Sequence, residues 1–172
     1  MKTYLRWLTS FILVCSVVIF FSVPYMAPEQ GSAEASQDDR ASDFTLKDLD
    51  GRTVSLSDYK GKTIVLYFMA TWCPECRSAI PHLRELYASY NPKGLIFLSI
   101  DVMESKEKAA AFSRKYNIPY PILLDEEGKV YRNYGVGGVP VKALIDRDGR
   151  IICWNCRSFD SLLAKQFEIN TK

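Results

Sequence analysis

The stretch over residues 63–69, apolar, β-branched and aromatic, runs into Trp72-Cys73-Pro74-Glu75-Cys76, and this junction constrains the fold more than any other feature. A run of that composition and length predicts a strand buried on both faces. Beyond the cysteines, Ile80, Leu83, Leu86 and Tyr87 recur at helical spacing and predict a helix over 73–90. Two cysteines three apart therefore sit where a strand ends and a helix begins. A sulfur at a helix N-terminus meets unpaired N–H groups and the positive end of the dipole, so its thiolate is favoured. The thiolate attacks disulfides, and a second cysteine one turn on can resolve the mixed disulfide. The chemistry indicated is thiol–disulfide exchange.

The same reading continues down the chain. Segments 44–46 and 53–56 predict a hairpin about Asp50-Gly51, and 141–146 and 150–154 another about Asp148-Gly149. Between them lie a strand at 95–101, a helix at 104–116, a short strand at 122–124 and a helical turn at 127–134, and a helix at 159–169 ends the chain. Strand–helix–strand followed by an antiparallel hairpin and a helix is α/β with a mixed sheet.

Trp-Cys-x-x-Cys in this setting resembles the thioredoxin superfamily. Asp43-Phe44-Thr45-Leu46, Asp50-Gly51-Arg52-Thr53-Val54-Ser55-Leu56, Gly61-Lys62, Gly138-Val139-Pro140 and Leu144-Ile145-Asp146-Arg147-Asp148-Gly149 resemble the membrane-anchored ResA/TlpA-type thiol–disulfide oxidoreductases. The likeness covers about residues 42–170. It implies a thioredoxin fold whose mixed central sheet is flanked by helices, with an N-terminal hairpin and a central strand–helix insertion over 102–135. It implies Cys73 and Cys76 as catalytic residues, with the Cys73–Cys76 disulfide the redox group and no further cofactor. Trp72 would pack over the disulfide, and Pro74, Glu75 and the helix proline Pro81 would shape the site. Val139-Pro140 would be a cis-proline loop facing the cysteines, with Val139 offering its backbone to an extended substrate. Residues alone predict a trans bond there, because cis is found in only about 5–6% of such bonds.

The chain departs from its relatives in three places. Val141-Lys142 follows the proline where Thr-Thr is frequent, Tyr67 stands where thioredoxins keep a buried Asp, and Ala79 stands where ResA-like proteins often keep a Glu. Glu75 is left as the nearest charged group to the cysteines, weighed against an ordinary solvated residue of the first turn. His82, the only histidine, reads as a surface residue and supports no metal site.

A chain of 172 residues, 48% of them apolar, supports one packed domain, assigned to 42–172. Lys and Arg number 22 against 20 Asp and Glu, with no basic block, which argues against nucleic acid as a partner. At the start, Lys2 and Arg6 precede an uncharged stretch over 7–23, so residues 1–27 read as a membrane anchor or signal peptide. The small-x-small site Ala33-Glu34-Ala35 lies far beyond the apolar run, which favours an anchor. Either outcome places the domain outside the cytoplasm. Cys15 reads as an apolar residue of that segment, and residues 28–41, rich in Ser, Ala, Glu and Gln, as a flexible tether.

Cys153-Trp154-Asn155-Cys156 is a second Cys-x-x-Cys that the common family pattern lacks. In an extended strand the two Cα atoms would lie about 10 Å apart, and a disulfide needs less than about 7 Å. Closure needs a turn, for which Asn155 is suited. A regular hairpin about Asp148-Gly149 would bring Cys156 level with Pro140, on the order of 10–15 Å from the first pair. A second redox pair, a structural disulfide and two free thiols all stay open. Zinc is disfavoured: 76 residues (77–152) separate the pairs, against roughly 15–20 in such sites.

The function expected is an extracytoplasmic oxidoreductase that reduces protein disulfides with electrons from a membrane thiol donor. The resemblance suggests cytochrome c maturation as one setting. Two alternatives are a peroxiredoxin-like thiol peroxidase and a docking or chaperone module with structural cysteines. Peroxiredoxins carry Pro-x-x-x-Thr-x-x-Cys, and Leu66 and Ala70 occupy those places here.

Overall fold

Residues 39–168 are described by the computed structural model, so the anchor, most of the tether and Cys15 lie outside the described residues. The chain order is β1 (Thr45–Asp48), β2 (Thr53–Ser55), a 3-10 turn (Leu56–Tyr59), β3 (Ile64–Met69), α1 (Pro74–Tyr90) and β4 (Ile96–Val102). There follow α2 (Lys106–Tyr116), β5 (Ile122–Asp125), α3 (Lys129–Asn133), β6 (Val141–Ile145), β7 (Ile151–Trp154) and α4 (Phe159–Glu168). The seven strands form one sheet in the order β2-β1-β5-β4-β3-β6-β7. Strands β3, β4 and β5 run parallel, and β6 and β1 flank them antiparallel. The mixed sheet, both hairpins and every helix lie where the sequence places them, within a few residues.

All six residues of β3 are buried, as expected of a central parallel strand covered on both faces. Residues paired across strands share a face, and this sorts the core. On one face Tyr67 reaches α1, its hydroxyl donating to the Cys76 carbonyl at 3.4 Å. Also there, the Phe97 and Tyr120 rings lie tilted with centroids 4.3 Å apart, beside Tyr87 of α1. Helix α4 lies against α1, with Tyr90 and Phe167 ring centroids 5.2 Å apart. His82 joins the same seam through Asp160, Nε2 to Oδ2 at 3.1 Å. On the other face Phe68 meets Tyr134 at 5.6 Å and Trp154 at 6.1 Å.

The two hairpins use one device. In Asp48-Leu49-Asp50-Gly51-Arg52 and Asp146-Arg147-Asp148-Gly149-Arg150, the first Asp Oδ1 accepts from the N–H two and four residues on, each at 2.9 Å. Gly51 and Gly149 take φ of 83° and 81°, a left-handed conformation that glycine adopts without a Cβ clash.

One expectation needs correction. The β6–β7 ladder carries a bulge, since Ile145 pairs with Ile151 but Leu144 pairs with Cys153. The extra residue shifts the register by one, so a continued ladder would set Cys156 opposite Val141 rather than Pro140. The strand does not continue that far. Asn155 donates its N–H to the Lys142 carbonyl at 2.7 Å and turns the chain away with φ 47°. The bulge also decides facing: Cys153 sits with Leu144 on the α1 face, and Trp154 on the Phe68 face.

Candidate active site

Strand β3 delivers the chain to a turn in which the Cys73 N–H bonds the Ala70 carbonyl at 3.2 Å. Cys73 is the N-cap of α1, in extended conformation, with Pro74 in the first helical position, where its missing N–H costs nothing. The Cys76 N–H donates to Cys73 Sγ at 3.1 Å, which is the capping bond of the helix made by sulfur. Cys73 and Cys76 are joined in a disulfide with Cα atoms 5.2 Å apart, and each residue is only 1% exposed. Reduction would leave Cys73 Sγ holding that N–H bond at the positive end of α1, which favours the thiolate.

Val139-Pro140 is cis, and the Val139 carbonyl oxygen lies 3.7 Å from Cys73 Sγ. The loop between α3 and β6 thus faces the cysteines, as the resemblance implies. Glu75 is exposed, its Oε2 3.9 Å from the same sulfur. Pro81 lies within α1, which runs unbroken to Tyr90. Trp72 differs from expectation. At 64% exposure it stands out from the turn as a largely open apolar surface.

Sequence reasoning missed two acids beside this turn. Glu104 accepts from Thr71 twice, from its N–H at 2.5 Å and its hydroxyl at 2.8 Å, so it pins the residue before Trp72. Asp101 sits across from Met69 at the end of β4, fully buried, with no hydrogen-bond partner for either carboxylate oxygen among the described residues. Burial first, and then the negative charge of Glu104, push its carboxyl up to about 8, so it is largely protonated at neutral pH. The signal was an acid in a buried strand that Ser99 alone otherwise interrupts with a polar group. Tyr67 cannot replace the acid of thioredoxins, since burial holds its hydroxyl far above its ordinary range and it stays a donor.

Cys153 and Cys156 are also joined, with Cα atoms 5.7 Å apart, the left-handed Asn155 supplying the turn. Among the described residues no group of three His, Cys, Asp or Glu side chains could hold a metal, and no helix is long and apolar enough to cross a membrane.

Comparison with known proteins gives a consistent result. The model of the AhpC/TSA family matches residues 38–153. Thiol-disulfide oxidoreductase ResA of Geobacillus thermodenitrificans is 39% identical over 111 residues, 64% of this chain and 64% of that protein. The match thus spans just under two thirds of that relative. ResA of Bacillus subtilis is 30% identical over 144 residues, 84% of this chain and 80% of that one. Among solved structures, a thiol:disulfide interchange protein from a Bacteroides species is similar with a TM-score of 0.67 and 27% identity, over 77% of this chain and 90% of that one. A secreted disulfide oxidoreductase of Mycobacterium tuberculosis has a TM-score of 0.62 and 26% identity, over 72% and 93%.

Proposed function

The chain belongs to the AhpC/TSA family, and from that premise we propose that it is an extracytoplasmic thiol–disulfide oxidoreductase that reduces disulfides in protein substrates. The observation that carries the reading is the Cys73 sulfur, held by the Cys76 N–H at a helix N-terminus and 3.7 Å from the Val139 carbonyl. In the reduced enzyme Cys73 thiolate attacks one sulfur of the substrate, and the other substrate sulfur leaves with the electron pair and takes a proton. Cys76 then attacks Cys73 Sγ, the second substrate thiol departs, and the Cys73–Cys76 disulfide is formed. Two electrons have passed to the substrate, and a membrane dithiol would return them. The Val139 backbone would pair with the extended substrate, and exposed Trp72 would give it an apolar contact.

The direction of electron flow rests on Glu75. A carboxylate beside Cys73 opposes the thiolate, so the reduced form is less stabilised than in strongly oxidising relatives. The location is supported by the charge layout of residues 1–27 and by likeness to a secreted protein. Maturation of a c-type cytochrome is one setting for such a reductant, supported by the resemblance to ResA-type proteins. A peroxidase reading is disfavoured, since buried Ala70 brings no hydroxyl to a peroxide.

The test is to trap substrates. Cys76→Ser removes the resolving thiol, so mixed disulfides through Cys73 should accumulate and release protein partners on reduction. Adducts of Cys73→Ser at equal yield would sink the reading.

A further inference from the structure

The function proposed above makes no use of the disulfide between Cys153 and Cys156, and its surroundings do not suit a simple staple. A disulfide stabilises chiefly by shortening the loops of the unfolded chain, and the loop of four residues closed here is among the least profitable. The pair is also uneven. Cys153 is 4% exposed within the α1 face, whereas Cys156 is half-buried at the surface, beside the Ser158 hydroxyl at 3.7 Å. Of the two, Cys156 is the more accessible to an attacking thiolate, which leaves Cys153 as the leaving sulfur.

The neighbouring strand ties the pair to the rest of the site through Lys142. Lys142 and Cys153 lie on one face of adjacent strands, diagonal neighbours at a separation of roughly 7–8 Å. The Lys142 ammonium is held 4.5 Å from the ring centroid of Phe159, three residues past Cys156. The same Lys142 joins the pair to the substrate loop. Its carbonyl takes the Asn155 N–H at 2.7 Å, and Lys142 is two residues after Pro140. The turn that holds this bond is the one closed by the disulfide.

We propose that Cys153–Cys156 is a second exchangeable redox site, opened at Cys156 by a dithiol reductant, and that its opening frees the Asn155 turn from Lys142 and weakens substrate binding by the Val139-Pro140 loop. A thiolate of the reductant attacks Cys156 Sγ, and the electron pair of the broken bond passes to Cys153, which takes a proton. The reductant's second thiol then displaces Cys156, so two electrons enter the pair and the reductant leaves as a disulfide. The exchange stands independently of the function proposed above; the effect on substrate rests on it.

Two measurements test this. In the full chain carrying Cys73→Ser and Cys76→Ser, the second pair is treated with dithiothreitol in native buffer, then with iodoacetamide. Both cysteines should become alkylated without denaturant, Cys156 at least tenfold faster than Cys153. A pair that opens only in guanidinium is a staple, and the proposal fails. This readout needs no turnover, so it stands even if the enzyme reading falls. In the second measurement, Cys153→Ser with Cys156→Ser should raise KM for a disulfide peptide at least threefold, with the iodoacetamide rate of Cys73 unchanged. An unaltered KM overturns the link to the loop.

Discussion

The two Cys-x-x-Cys pairs close loops of equal length on the α1 side of one sheet, yet they meet different backbone environments. Cys73 and Cys76 lie inside the N-terminal field of a seventeen-residue helix, where an N–H already points at the Cys73 sulfur. Cys153 lies within β7 and Cys156 three residues before α4, and the hydrogen bond to this pair comes from a side chain, the Ser158 hydroxyl at 3.7 Å from Cys156 Sγ. Backbone stabilisation of a thiolate is fixed by the fold. Side-chain stabilisation can be changed, screened or withdrawn. A sulfur meant to react on every turnover suits the first, and one meant to respond to conditions suits the second.

The largest expected contrast is in turnover. Cys73→Ser should cost at least about a thousandfold in reduction of a disulfide peptide, since the nucleophile is lost. The double replacement of Cys153 and Cys156 should stay within about tenfold of the native enzyme, and a thousandfold loss there would erase the distinction between the pairs.

A second contrast lies in pH, because a buried acid adjoins only the first pair's turn. Asp101 has a folded-state pKa raised from 3.8 to about 8, so the folded protein holds a proton that the unfolded chain has released between those values. Its contribution is fully present below about pH 4 and is lost as pH rises towards 8, at no more than about 1.4 kcal/mol per pH unit. Denaturant unfolding across pH 4–9 should show this decline, and Asp101→Asn should flatten it. An equal slope in the variant would assign it to other groups.

The smallest expected effect sharpens the first site alone. Glu75→Gln should make the Cys73–Cys76 disulfide more oxidising by up to about 30 mV, equivalent to about 1.4 kcal/mol, when equilibrated with glutathione. An unchanged potential would leave Glu75 a solvated residue.

How much of this was legible in the sequence differs from feature to feature. Strand β3 and helix α1 could be read because their apolar patterns are dictated by burial on two faces and on one. The turn at Asn155 was also legible, since the closure of the second pair demanded it. The bulge at Leu144/Ile145 was not, because it is a property of two strands in register and neither strand carries it alone. Asp101 and Glu104 escaped notice for another reason. At the end of a strand and before a helix, acids are ordinary, and only the register of Asp101 opposite Met69 and the bonds of Glu104 to Thr71 make them part of the site.

The entry of the chain into the domain has a practical consequence. The Ala41 N–H bonds the Gly149 carbonyl and the Ile151 N–H bonds the Asp39 carbonyl, beside the second hairpin turn. In β6 that turn follows Ile145, which pairs with Ile64 at the start of β3, whereas Val141 pairs with Phe68 near its end. The upstream chain therefore joins at one pole of the sheet, and Cys73 and Cys76 occupy the other. A bead, electrode or fusion partner coupled ahead of residue 39 would hold the domain by its inert end. The redox end would then project towards whatever is presented to it, with the length of the strands as a built-in spacer.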